Sequence, residues 1–159
     1  MRSPTGSGKT LAYAVPLVQR LVALGPQTVT RAAGTFALIL VPTRELAMQT
    51  HEAVEQLSRP FPWLVTSILM GGERKKAEKA RLRKGVAVVV ATPGRIVDHL
   101  ESTTAFRLAR CGLLVLDEAD RLLDLGFQKT IAAILTALEE RAASPAVRVT
   151  ALLSATLSP

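Results

Sequence analysis

At 159 residues, 48% of them hydrophobic and 21% charged, the chain fits one globular domain and excludes a disordered tail. Twenty Lys and Arg against 13 Asp and Glu leave a formal charge of +7, which favours an anionic partner such as nucleic acid, a nucleotide or an acidic surface. The single cysteine, Cys111, excludes an internal disulfide, and no apolar run reaches the ~18 residues that cross a bilayer. With no signal-peptide core at the N-terminus, these features predict a soluble, intracellular protein without a membrane partner.

In chain order, a glycine-bracketed turn, "SPTGSGKT", leads into a helical pattern over residues 9–24. Pro16 falls inside that pattern and is expected to kink it or force a local adjustment. Residues 25–34, "GPQTVTRAAG", read as a flexible surface loop. Then come the strand "FALILV", a helix over 44–57, the strand "VTSILM", a helix over 74–84 and the strand "VAVVVA". A helix over 95–100, the strand "LLVLD", a helix over 128–141 and the strand "VTALLSAT" complete the chain. Each strand candidate is short and almost uniformly apolar, as strands covered on both faces are. Strand and helix in alternation predict an α/β domain: a mainly parallel sheet with helices on both faces.

Two segments carry chemistry. In "SPTGSGKT" (Ser3, Pro4, Thr5, Gly6, Ser7, Gly8, Lys9, Thr10) the glycines let backbone N–H groups close around an anion, and the loop feeds a helix whose N-terminus favours negative charge. Lys9 would reach the terminal phosphates and Thr10 would hold Mg2+. Ser3 stands where the general phosphate-loop pattern has glycine. In "LLVLDEAD" an apolar strand ends in two carboxylates. Asp117 suits a metal ion, and Glu118 suits the activation of an attacking water. Either segment alone also fits an ordinary element, a Gly/Ser loop opening a helix or an acidic helix cap. Together they supply phosphate contacts, metal ligands and a base, with Lys9, Asp117 and Glu118 as the catalytic set of an enzyme using ATP or GTP.

These letters, with four more signatures in order, resemble the DEAD-box family of ATP-dependent RNA helicases. The further signatures are "PTRELA", "GG" at Gly71 and Gly72, "TPGR" and "SAT". The resemblance implies the amino-terminal RecA-like, P-loop domain of such a helicase across residues 1–159, with ATP and Mg2+ as cofactors and RNA as partner. It implies that Pro42, Thr43, Arg44, Gly71, Gly72, Thr92, Pro93, Gly94 and Arg95 grip an RNA backbone without reading bases. It also implies that Asp120, Ser154 and Thr156 couple nucleotide state to RNA. The stretches "MGGERKKAEKARLRKG" and "DEADRLLDLGF" are most similar to a nucleolar subfamily linked to large-subunit ribosome assembly, which implies a nuclear or nucleolar location and preribosomal protein partners. Against that family the chain reads as cut at both ends: Met1 and Arg2 leave little of the strand that should precede the phosphate loop. It also lacks the upstream segment that recognises adenine and the second RecA-like domain with its arginines. A monomer, weakly active or inactive by itself, is therefore expected. A catalytically silent RNA- or preribosome-binding module and a different P-loop phosphotransferase stay open as alternatives.

The run 73–84 carries seven Lys or Arg residues and reads as a solvated helix face, with a grip on RNA or an acidic partner as the alternative. His51 and His99 read as exposed or satisfied histidines, Cys111 as a half-buried structural thiol, and Trp63 as a packing residue rather than a base-stacking one.

Overall fold

A parallel five-stranded sheet in the order β2-β3-β1-β4-β5 forms the centre of the computed structural model, which describes residues 8–143 and 149–154. The strands are β1 (Ala37–Leu40), β2 (Thr66–Leu69), β3 (Val88–Ala91), β4 (Leu113–Leu116) and β5 (Val149–Leu152). All four neighbouring pairs run parallel and in matched register, for example Leu38 beside Val89 and Leu114. The helices are α1 (Gly8–Leu24), α2 (Arg44–Ser58), α3 (Lys75–Lys84), α4 (Pro93–Ser102), α5 (Ala119–Asp124) and α6 (Gln128–Glu140).

The apolar strands divide their side chains between two cores, as a period of two requires. Ala37, Ile39, Val88, Val90 and Val115 face a core closed by Tyr13, Leu17 and Leu21 of α1 and Ala47 and Val54 of α2. Leu38, Leu40, Val89, Leu114 and Leu116 face the other, closed by Leu82 of α3, Ile96 of α4, Leu122 of α5 and Ile134 and Leu138 of α6. The expected α/β sandwich is therefore present, with every strand candidate paired, but β5, at the edge of the sheet, is not covered on both faces as its apolar sequence suggests: Val149 and Leu152 are exposed.

Three local expectations need revision. The loop over 25–34 is anchored: Val29 is buried, its amide donates to the Gly25 carbonyl, and a 3-10 turn over Arg31–Ala33 is capped by Thr30. Helix α4 begins at Pro93, two residues before the expected start, because a proline at the first helical position has its φ preset and needs no N–H partner. Helix α5 was not foreseen. Along α1 the helix continues through Pro16, which lies on the exposed face with Ala12, so the Ala12 carbonyl left without a partner meets water. Among the described residues no helix is long and apolar enough to cross a membrane.

Candidate functional site

The carboxyl ends of the strands gather the chemically marked segments along one rim, the usual ligand edge of a parallel sheet. Beyond β1 come Pro42, Thr43 and Arg44; beyond β2, Gly71 and Gly72; beyond β3, Thr92 to Arg95; beyond β4, Asp117 and Glu118. Since β2, β3 and β1 are consecutive in the sheet, the first three segments adjoin, and β4 sets the acids beside them.

Lys9 and Thr10 occupy the first turn of α1, Lys9 exposed and Thr10 buried. One turn further, the chain's only tyrosine, Tyr13, reaches across to β4 and donates its hydroxyl to Asp117 Oδ2 at 2.8 Å. This bond ties α1 to the acidic strand end across 104 residues of sequence. The other Asp117 oxygen accepts the Glu118 amide at 2.9 Å. Burial raises the Asp117 pKa; the Tyr13 and Glu118 bonds oppose that rise, the Glu118 charge adds to it, and the Lys9 charge opposes it. The Tyr13 phenol is pushed upward as well, first by burial and then by the Asp117 charge. A cation beside Asp117 would relieve the cost of burying its charge. One carboxylate and the Thr10 hydroxyl suit Mg2+, which completes its shell with water and phosphate oxygens. Among the described residues no three His, Cys, Asp or Glu side chains gather to hold a metal without such help.

Glu118 has φ 51° and ψ 52°, the only non-glycine residue with positive φ among those described. An L residue in that conformation costs about 1–2 kcal/mol. The left-handed turn starts α5 directly after β4 and leaves the Glu118 side chain one-quarter exposed, 3.3 Å from the Arg121 guanidinium. Asp120 follows in the first turn of α5, and the Ala119 amide donates to the Leu153 carbonyl at 2.8 Å, so the segments that carry Asp120 and Ser154 adjoin.

Seven of the nine residues expected to hold RNA line one groove of about 590 Å3: Pro42, Thr43, Arg44, Gly71, Thr92, Gly94 and Arg95. Glu45 and Asp98 complete its walls. Thr43 caps α2 by accepting the Leu46 amide at 3.2 Å, so its hydroxyl is committed to shaping the loop. Gly72 (φ +95°) packs against Arg44: a Cβ there would stand 2.3 Å from the guanidinium. The two arginines differ. The Arg44 side chain is exposed and makes no hydrogen bond or ion pair among the described residues. Arg95 is 16% exposed and bonds to Glu78, Asp98 and the Glu73 carbonyl. Ser3, Pro4, Thr5, Gly6, Ser7 and Thr156 lie outside the described residues.

Reading the sequence missed Tyr13 and Glu78. The solvated-face reading of 73–84 holds for Arg74, Lys76, Arg83 and Lys84, which are exposed. Three other bases work inside the protein. Lys75 pairs with Asp98, Lys79 donates to the Ser102 carbonyl, and Arg81 forks onto Glu73 while also reaching Ser67 and the Ile68 carbonyl. Arg81 holds the Glu73 carboxyl below its ordinary range. His99 is buried between Glu78 and Thr103, and His51 lies 3.3 Å from the Thr66 hydroxyl. Cys111 is buried, and Trp63 packs on the first core, edge-on to Phe61.

Comparisons with known proteins agree with this geometry. A family model described as DEAD/DEAH box helicase matches residues 1–159. The chain is 52% identical to the human protein named ATP-dependent DNA helicase DDX31, over 99% of this chain and 18% of that one. It is 48% identical to ATP-dependent RNA helicase DBP7 of Gibberella zeae, over 99% of this chain and 23% of the relative. The chain thus spans about a fifth of the length of these relatives. Among solved structures, the crystal structure of the yeast DEAD-box splicing factor Prp28 matches with a TM-score of 0.87 and 33% identity, covering 99% of this chain and 36% of that one.

Proposed function

We propose that this chain, which belongs to the DEAD/DEAH box helicase family, is the nucleotide- and RNA-binding part of an ATP-dependent RNA helicase. The supporting observation is the single rim: a phosphate-loop helix tied to the acid pair on one half, and the groove carrying Arg44 on the other. In this reading Gly8, Lys9 and Thr10, with the preceding loop, hold the ATP phosphates, while Thr10 and Asp117 hold Mg2+. Bound Mg2+ neutralises charge on the phosphates. The Tyr13 hydroxyl orients the Asp117 carboxylate toward that position. The Glu118 carboxylate, held out from the strand end by its left-handed backbone, takes a proton from the attacking water. Asp120, Ser154 and Thr156 carry the nucleotide state to the groove.

RNA lies along the groove by its backbone. The relatives' names include both DNA and RNA helicases; phosphate contacts alone do not separate the two, and the choice of RNA rests on the motif resemblance. On the same ground we assign this chain a role in ribosome assembly within the nucleolus, with preribosomal proteins as partners.

The test measures binding of a single-stranded RNA oligonucleotide with and without an ATP analogue, in the parent chain, Lys9→Ala and Glu118→Gln. The proposal expects nucleotide to strengthen RNA binding in the parent, and Lys9→Ala to remove that effect. RNA binding indifferent to nucleotide and to both substitutions would instead identify a silent binding module.

A further inference from the structure

The middle of the most basic helix holds a carboxylate with no solvent exposure. Glu78 of α3 is 0% exposed, on the same stripe as Leu82. A buried charge persists only when its lone pairs are answered, and here three donors from two other segments answer it. Oε1 accepts the Met70 amide at 3.0 Å. Oε2 lies 2.7 Å from Arg95 Nε and 2.7 Å from His99 Nε2. When Nε2 carries the ring proton, Nδ1 accepts from the Thr103 hydroxyl 2.9 Å away at the end of α4.

The placement of the donors matters more than their number. Met70 immediately precedes Gly71, and Arg95 closes the "TPGR" turn, so one carboxylate bonds to both the β2 and the β3 segments that line the groove. Arg95 reinforces the link by donating to the carbonyl of Glu73, the residue after Gly72. Of its five N–H groups, Nε–H goes to Glu78, one of Nη1 to Asp98 and one of Nη2 to Glu73; two remain for a phosphate. Glu78 itself is not among the groove's lining residues.

We infer that Glu78 is a positioning residue for nucleic-acid binding: through Arg95 and the Met70 amide it fixes the spacing of the Gly71–Gly72 and Thr92–Arg95 walls of the groove. A backbone phosphate then meets a preformed surface, with Arg44 as the free charge and Arg95 as the fixed one. This rests on the reading of the groove as the RNA site.

The experiment measures affinity of the 159-residue chain for a single-stranded oligo(U) RNA by fluorescence anisotropy, with ATP-analogue affinity and circular dichroism as checks on folding. Glu78→Ala should weaken RNA binding at least about tenfold, the scale of a lost hydrogen bond to a charged group, while ATP-analogue affinity stays within about twofold. Glu78→Gln, which keeps the shape, should fall between Ala and parent, because one oxygen cannot serve both Met70 and the Arg95 side; it carries the test if the alanine variant does not fold. In an Arg95→Ala background either change should cost much less, a coupling that general loosening of the fold would not give. Unaltered RNA affinity in both Glu78 variants, or losses that multiply fully with Arg95→Ala, would overturn the inference. Arg44→Ala separates this failure from that of the underlying reading. If Arg44→Ala weakens RNA binding and the Glu78 variants do not, only the inference falls; if Arg44→Ala also has no effect, the groove is not the RNA site and both fall.

Discussion

Replacing Tyr13 with phenylalanine tests the link between the phosphate-loop helix and the acidic strand end. The change removes one oxygen, in a site where Tyr13 is 6% and Asp117 4% exposed. The lost bond is 2.8 Å long and goes to a carboxylate, so at neutral pH its loss should cost about 2 kcal/mol. For a domain of this size that lowers Tm by about 4–8 °C. The cost should depend on pH. Burial raises the folded-state pKa of Asp117 above its ordinary 3.8, so this group's contribution is greatest below 3.8 and is lost as pH rises through the folded value. The Tyr13 bond limits that rise, and Tyr13→Phe therefore pushes the folded pKa further up. Once Asp117 is protonated only a neutral hydrogen bond is missing, and the difference from the parent shrinks toward about 1 kcal/mol. Calorimetric melts of both proteins from pH 7.5 downward measure this directly. An unchanged Tm at neutral pH, or a difference that does not narrow in acid, would show that the Tyr13 hydroxyl does not stabilise the Asp117 carboxylate.

Asp117→Asn should raise the Tm of the nucleotide-free domain at neutral pH, since the amide keeps the shape without the buried charge, while Mg2+-dependent ATP binding by titration calorimetry disappears. Gly72→Ala should lower stability by about 1–2 kcal/mol from its φ of +95° alone. It should also weaken RNA binding by displacing the Arg44 guanidinium, which denaturant melts and anisotropy titrations of the same sample would separate.

The strands were legible in the sequence because short apolar runs in alternation with helices call for a sheet covered by helices, a pattern that β1 and β3 follow fully and the largely exposed β5 does not. Of the chemical motifs, "PTRELA", "GG", "TPGR" and "DEAD" were legible as sequence letters and follow strand ends in the fold. Helix α5 was hidden: "DEADRLLDLGF" was read for its carboxylates, and six residues with one buried leucine, Leu122, give too little periodicity to announce a helix. Glu78 was hidden for a different reason. Seven bases around it suggested solvent on every side, yet Leu82 lies one turn on and both are buried. A carboxylate one turn before the helix's only leucine was the available signal. Its partners, Arg95 and His99, also one turn apart on α4, became visible as such only once β2 and β3 were paired. Tyr13 stands one turn after Lys9, but nothing local points it at Asp117. That contact comes from α1 packing on the sheet.

In the proposed function, the groove at the ends of β1, β2 and β3 holds an RNA backbone by charge as well as by shape. The most direct measurement is the salt dependence of RNA affinity in the parent chain and in Arg44→Ala. Loss of one phosphate contact to single-stranded RNA should reduce the slope of log K against log salt by about 0.7, with the same loss for every RNA sequence. An identical slope in the two proteins, with Arg44→Ala binding as tightly as the parent, would contradict it.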